Sequence, residues 1–137
     1  MSRKSCSGIV PLAAGLLLLV CMVGAQTQPA PENKTPPEAA QKANPVKPTP
    51  ESLAKAKKTY KIDCAMCHSE NGDGTNDMDM KNVPDLTNAD VQKKSSDGEW
   101  FYIIQKGKGD MPPEGARAKA EDDLWNLVNY CRAFGKK

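Results

Sequence analysis

Two cysteines and the single histidine of this chain fall within one short stretch, Cys64-Ala65-Met66-Cys67-His68. On a helix, side chains three positions apart lie on the same face, so Cys64 and Cys67 present their thiols side by side. The imidazole of His68 follows on the same turn. The fold of this chain therefore has to bring two thiols and one imidazole together at a single site.

The spacing C-x-x-C-H is the attachment sequence of c-type haem. Two thiols three positions apart can add to the two vinyl groups of one porphyrin, and the next residue can reach the iron from the proximal side. The sequence therefore predicts one covalent haem c, with its iron, attached through Cys64 and Cys67 and ligated by His68.

Three other uses of the motif fit less well. A thioredoxin-like redox pair needs a βαβ setting, and no strand pattern precedes Cys64. A closed zinc site needs about four ligands, of which the motif holds three, and with no second histidine the fourth would have to be Cys131, far from the motif in the sequence. A disulfide between Cys64 and Cys67 would leave His68 unexplained.

The start of the chain resembles a secretory signal. A positive n-region and an uncharged, leucine-rich run precede small residues at 23–25, so we expect a signal peptide over 1–25. A retained membrane anchor is the alternative, since the run reaches the lower limit of a membrane span. Acylation of Cys21 is a third reading, although Val20 is not the small residue that usually precedes a lipidated cysteine. Signal peptide or anchor, the remaining chain is exported, and a periplasmic location is expected.

Residues 26–50 contain seven prolines and almost no large apolar side chains. Such a segment buries too little surface to offset its ordering entropy, so it is predicted to be a disordered, partly polyproline II linker. The folded domain should be 51–137, which is small enough to need a cofactor or metal to complete its core.

The charges of the mature chain balance. The sequence has 19 Lys and Arg against 17 Asp and Glu, and the leader holds Arg3 and Lys4, so 17 of each sign remain. This balance gives no electrostatic case for a nucleic-acid partner.

Helical patterns account for most of 51–137, which predicts an all-α fold. A first helix should begin with Thr49 as its N-cap and Pro50 at its first position. A capping box over 96–99 opens another helix that should end near Gly107. The last helix should begin at Glu121 and bury the apolar face Leu124, Leu127, Val128 and Cys131.

A second axial ligand has to come from a residue other than histidine. Met111 stands between a glycine-rich stretch and two prolines, which would let the backbone approach a porphyrin and stiffen the thioether's position. Met78 and Met80 lie in a polar loop, and Met66 sits between the attachment cysteines. We therefore expect Met111 to be the distal ligand, with simple packing as the alternative.

Five sequence pieces, taken together and in order, resemble class I (small monohaem, bacterial-type) cytochrome c over the whole of 51–137. These pieces are Tyr60-x-x-x-Cys64-x-x-Cys67-His68, Asn71-Gly72-Asp73-Gly74, Pro84-Asp85-Leu86, Gly107-Lys108-Gly109-Asp110-Met111-Pro112 and Trp125-x-Leu127-Val128-x-Tyr130. The resemblance implies a cytochrome c-like fold of about four to five short helices wrapped around one covalent haem.

The resemblance also implies roles for single residues. His68 corresponds to the proximal ligand, Met111 to the distal ligand, and Pro84 to the proline whose carbonyl accepts a hydrogen bond from the proximal imidazole. The chain departs from the family at Ala56 and Ser69, where glycine is usual; neither position is a ligand.

The function implied is single-electron transfer in an exported respiratory or dehydrogenase-linked chain, by a protein that is not itself an enzyme. Its partners would be a redox protein donor and acceptor, the N-terminus could associate with a membrane, and a monomer is expected. Two alternatives remain open: a dedicated haem subunit of an oxidoreductase complex, and a redox or gas sensor.

Overall fold

The computed structural model describes residues 34–76, 78 and 80–136, within the compact unit Glu32–Lys137. The described residues form helices and no strand, apart from one isolated bridge between Lys108 and Met111. The helices are α1 (Pro37–Ala40), α2 (Pro50–Asp63), α3 (Ala65–His68), α4 (Ala89–Lys94), α5 (Asp97–Lys106) and α6 (Glu121–Phe134). The all-α prediction is confirmed. The predicted signal peptide lies outside the described residues.

Helix α2 begins as the sequence predicts. The Thr49 side chain accepts a hydrogen bond from the Ser52 amide at 3.1 Å, and the Ser52 hydroxyl accepts one from the Thr49 amide at 3.0 Å. The three-residue spacing of Cys64 and Cys67 suggests that both lie on one continuous helix, but α2 ends at Asp63, with Cys64 as its C-cap at φ −121°. The motif therefore occupies a separate turn, α3, and the structure has more helices than the sequence predicted.

Helix α5 is bounded at both ends by the expected residues. Ser96 accepts from the Glu99 amide, and the Glu99 carboxylate accepts from the Ser96 amide. At the other end Gly107 adopts φ 79°, and its amide donates to the Ile103 carbonyl at 2.8 Å. A left-handed residue at this position ends the helix, which sends the chain toward Met111.

The core is centred on the crossing of α2 with α6. Ala56 and Tyr60 of α2 are buried at 3% and 1% exposure. The Tyr60 ring lies 5.2 Å from that of Tyr130 and 5.3 Å from that of Phe134, measured between centroids. The buried residues of α6 are Leu124, Trp125, Leu127, Val128, Cys131 and Phe134, so the predicted apolar face is confirmed. This crossing fixes the end of α2, where the cysteine motif follows.

Both tryptophans serve as packing residues. Trp125 is fully buried, and its ring stacks on Phe101 with centroids 4.0 Å apart. Trp100 is also buried, and the Arg132 guanidinium lies 4.4 Å from its ring centroid. Both side chains are therefore core residues.

The segment 36–48, here called the N-terminal strap, differs from the disordered linker predicted for 26–50. Lys42 forms an ion pair with Glu121 at 2.6 Å, and its ammonium lies 4.9 Å from the Phe101 ring centroid. The Asn129 amide donates to the Val46 carbonyl at 3.0 Å. For this stretch the prediction was wrong, because polar and backbone contacts hold the strap where apolar side chains are few.

Within the described residues, no helix is long and apolar enough to cross a membrane.

Candidate functional site

The two attachment cysteines and the histidine lie on one turn. The amides of Cys67 and His68 both donate to the Cys64 carbonyl, at 3.1 and 2.9 Å. Both thiols are half-buried and neither is in a disulfide. The disulfide interpretation of the motif is therefore not supported, and the turn presents two available thiols beside one imidazole.

The Cys64 thiol packs against the hydrophobic core and is neutral. Its pKa is raised to about 12, mainly by burial and in addition by the carboxylates of Glu114 and Asp63, whereas the Arg117 guanidinium opposes the rise. A thiol with this pKa carries no charge near neutrality. Its charged neighbours come from two segments, the end of α2 and the loop after Met111.

His68 supplies a neutral imidazole with an unsatisfied nitrogen. Its Nδ1 atom is buried and has no hydrogen-bond partner among the described atoms. Burial lowers the pKa of the ring below 6.5, and the nearby Pro84 carbonyl opposes that shift. Because a metal ligand has to be deprotonated, a half-buried neutral imidazole suits iron ligation.

The loop after the motif brings Pro84 to His68. The Gly74 amide donates to the His68 carbonyl at 3.2 Å, which returns the loop to the motif. A Cβ at Gly74 would lie 2.9 Å from the Val83 carbonyl oxygen, and φ there is 76°. Only glycine allows this approach without strain, so the backbone of Pro84 reaches the imidazole.

Met111 lies in a tight turn that follows α5. Its amide and carbonyl exchange hydrogen bonds with Lys108, each at 3.0 Å. A Cβ at Gly107 would lie 2.5 Å from the Met111 carbonyl oxygen, so the turn closes only over glycine. The Met111 side chain is half-buried and packs against the same core as Cys64.

The other methionines are placed differently. Met66 is 63% exposed and Met78 is 53% exposed. The amides of Met78 and Met80 both donate to the Asn76 side-chain oxygen, at 3.1 and 3.3 Å, within a polar loop. Of the methionines beyond the leader, Met111 is the one that packs against the core cluster.

Sequence reasoning missed an ion cluster beside the motif. Glu114 is buried at 6% exposure, and its carboxylate accepts two hydrogen bonds from Arg117. Arg117 also contacts Asp63, with Nη1 and Oδ1 3.3 Å apart. No sequence signal pointed to the cluster, because charged residues in a loop are ordinarily solvated.

The donor set fits a covalent haem better than a bare metal ion. In the described part of the chain, no three His, Cys, Asp or Glu side chains are grouped so as to hold a metal. Two free thiols and a neutral imidazole are the groups that haem attachment requires. The zinc interpretation is correspondingly weakened.

Comparison with known families supports the same assignment. The sequence profile described as cytochrome c oxidase, cbb3-type, subunit III matches residues 51–131, which include the motif and Met111. A search of curated protein sequences gives no match.

Two solved structures share the fold. KustC0563, a c-type cytochrome, is 25% identical with a TM-score of 0.53, and the match covers 58% of this chain and 95% of that chain. A chain of the Kuenenia stuttgartiensis reducing HAO-like protein complex Kustc0457/Kustc0458 is 21% identical with a TM-score of 0.56. That match covers 66% of this chain and 46% of the other, and it concerns the fold alone.

Proposed function

The chain belongs to the family of cytochrome c oxidase, cbb3-type, subunit III, which are c-type cytochromes, and on that premise we propose that His68 and Met111 are the axial ligands of its haem iron. Haem c, bound covalently, is the cofactor of this electron-transfer protein, and the resemblance to a class I monohaem cytochrome is confirmed. The proposal extends to the pathway: the protein carries single electrons in an exported respiratory or dehydrogenase-linked chain.

The observation that carries the proposal is the turn from Cys64 to His68. Its two thiols are free of a disulfide: Cys64 caps the end of α2, and Cys67 lies in α3. The amides of Cys67 and His68 both donate to the Cys64 carbonyl, which closes the turn. We assign Cys64 and Cys67 to the covalent attachment of haem, and His68 to proximal ligation. The neutral state of the imidazole supports that role.

Pro84 is proposed to accept a hydrogen bond from the proximal imidazole. The loop places its carbonyl near the ring, and Nδ1 has no other partner among the described atoms. A carbonyl acceptor on the nitrogen that does not face the metal fixes the ring's tautomer and orientation and increases its basicity as a ligand.

Met111 is proposed as the distal ligand. Its turn is closed by Gly107 and by paired bonds to Lys108, and its side chain lies against the core that Cys64 also contacts. A thioether opposite a histidine raises the reduction potential relative to two nitrogen ligands.

The haem supplies a one-electron iron couple. If His68 and Met111 both held the iron, no position would be left for a substrate to bind the metal, which would favour outer-sphere electron transfer over catalysis. The protein's own contribution is to hold His68 and Met111 on two separate segments, α3 and the turn that follows α5.

A second candidate is a dedicated haem subunit of an oxidoreductase complex, because the matched family is described by an oxidase subunit. Copurification of a stoichiometric partner from native extracts would support the subunit over a freely diffusing carrier. A freely diffusing carrier should instead purify from these extracts as a single chain without a partner, both in mild detergent and in buffer alone.

Export is proposed from the leader over 1–25. The mature N-terminus should be Gln26 if the leader is cleaved, and mass spectrometry of the purified protein checks this. A lipid adduct on Cys21 or an intact leader would instead establish membrane attachment.

The test of the central proposal is a pyridine haemochrome spectrum and a redox titration of the exported protein. Changing Cys64 and Cys67 together to Ser should abolish haem that survives denaturing electrophoresis. Cys131→Ser is the matched control: this thiol is buried in the core, and its removal should leave the covalent haem in place. Haem staining that persists in the double variant would overturn the assignment.

A further inference from the structure

Glu114 is the one charged residue that the described part of the chain buries. Its carboxylate accepts from Arg117 through Nε at 2.9 Å and again through Nη2, in a forked arrangement. A buried carboxylate is costly unless a charged partner satisfies it. The guanidinium is thus fixed by Glu114, although about half of the Arg117 side chain remains exposed.

The same guanidinium reaches a second segment. Nη1 of Arg117 lies 3.3 Å from Oδ1 of Asp63, whose side chain is 20% exposed. Asp63 is the last residue of α2 and directly precedes Cys64, whereas Glu114 comes three residues after Met111. One side chain therefore joins the attachment segment to the loop that carries Met111.

Backbone bonds hold the remainder of that loop only on its α5 side. The Glu114 amide donates to the Ile104 carbonyl at 2.8 Å, and the Gly115 amide donates to the Gln105 carbonyl at 3.2 Å. Neither bond ties the loop to α2. Among the described residues, the ion pair between Arg117 and Asp63 is the polar side-chain contact that joins the loop to α2. Met111 and Ala118 add apolar contacts with the core.

We infer that Asp63, Arg117 and Glu114 form a clamp that holds the Met111 loop against the attachment segment and so keeps the thioether on the haem iron. The inference rests on the proposed function, in which Met111 is the distal ligand. Arg117 is a positioning residue: it is not a ligand of the iron and does not bond the Met111 sulfur. It acts by limiting how often the Met111 loop moves away from the attachment segment.

Loss of the clamp should make the distal site more accessible. Hydrogen bonds between charged groups are stronger than neutral ones, and a buried carboxylate without its partner favours conformations that expose it to water. In Arg117→Gln we therefore expect cyanide to bind the ferric protein faster by about tenfold or more. Ligation of ferric iron by a thioether gives a weak absorption band in the far red, which arises from sulfur-to-iron charge transfer. This far-red band should weaken at the same time.

The experiment compares ferric holoprotein of the parent with Arg117→Gln and with Lys119→Gln. Lys119 is exposed and lies in the same loop, so its variant makes the same change of net charge without touching the clamp. Cyanide-binding rate, far-red absorbance and thermal unfolding are measured for all three. The expected result is a faster rate and a weaker band in Arg117→Gln, with Lys119→Gln equal to the parent.

Asp63→Asn provides a second variant in case Arg117→Gln fails to retain haem. It keeps the size of the side chain and removes only the charge on the α2 side of the clamp. A cyanide-binding rate above that of the parent supports the inference. A cyanide-binding rate equal to the parent's in Arg117→Gln overturns the inference, even if the melting temperature falls. If only Asp63→Asn keeps its haem, the same result in that variant overturns it.

The parent's own spectrum separates this inference from the proposed function. A parent that lacks the far-red band refutes Met111 ligation and the clamp together. A parent that has the band, with cyanide rates unchanged in the variants, refutes the clamp alone.

Discussion

The side-chain amide of Asn44 donates to Oδ1 of Asn129 at 2.9 Å, across 85 positions of sequence. The Asn129 amide donates in turn to the Val46 carbonyl. One residue of α6 therefore bonds both a side chain and a backbone carbonyl of the strap. Both asparagines are half-buried. The N-terminal strap is therefore joined to the domain by specific polar contacts.

Asn129→Ala should lower the free energy of unfolding by about 1–3 kcal/mol, because the Asn44 amide and the Val46 carbonyl would lose their partner. Thermal unfolding of the holoprotein measures the change. Asn126→Ala is the control on the same helix, since the Asn126 amide bonds only the local Asp122 carbonyl. Equal losses in the two variants would contradict a special role for Asn129.

Gly98→Ala should also destabilise the protein, by about 1–3 kcal/mol. A Cβ there would lie 2.1 Å from the Ala39 carbonyl oxygen and 2.7 Å from that of Lys42, so the strap would have to move. The sign should reverse in a chain whose residues 36–48 are replaced by a Gly-Ser linker, because alanine then improves α5 by about 1 kcal/mol. Destabilisation in both backgrounds would show that the strap is not the cause.

Met111→Ala should remove the far-red band, lower the reduction potential and admit cyanide or carbon monoxide to the iron. Optical redox titration and ligand-binding spectra measure these properties. Met78→Ala and Met80→Ala are matched controls and should leave all three nearly unchanged, as their amides belong to a polar loop. A band lost from either control but kept in Met111→Ala would assign the distal ligand to that loop.

Asp73 should contribute stability that depends on pH. Hydrogen bonds from the Thr75 side chain and amide, and from Ser69, hold its pKa below 3.8. The carboxylate is therefore favoured in the folded state, so its contribution is complete above about pH 5 and is lost as pH falls below 3.8. Melting temperatures of the parent and of Asp73→Asn should differ above pH 5 and converge below pH 3.8; a constant difference would refute this linkage.

Helix boundaries were predictable because they depend on local chemistry. The Thr49 and Ser96 caps and the left-handed Gly107 were all identified from residue type and spacing, and each is confirmed. The ending of α2 at Cys64 was not, since nothing local to the sequence marks it. Burial of the α6 face followed from its periodicity alone.

The strap and the clamp escaped prediction for a common reason. The contacts of Lys42 and Asn44 are with residues about 80 positions away, and no periodicity reports such pairs. In the clamp, the contact between Arg117 and Asp63 likewise joins residues that are far apart in the sequence. Charge and proline content suggested solvated segments at both places, because composition describes the chain before tertiary contacts form.

The crossing of α2 with α6 has a consequence for the order of events during synthesis. Helix α2 packs chiefly against α6, the last helix of the domain, and the strap, which also packs on α5, bonds α6 through Asn44. Contacts between such distant segments have to wait until the intervening chain has been made, and loop closure then limits the rate. A chain made from its N-terminus onward therefore lacks its tertiary core until α6 is complete, and the thiols of Cys64 and Cys67 stay accessible until then.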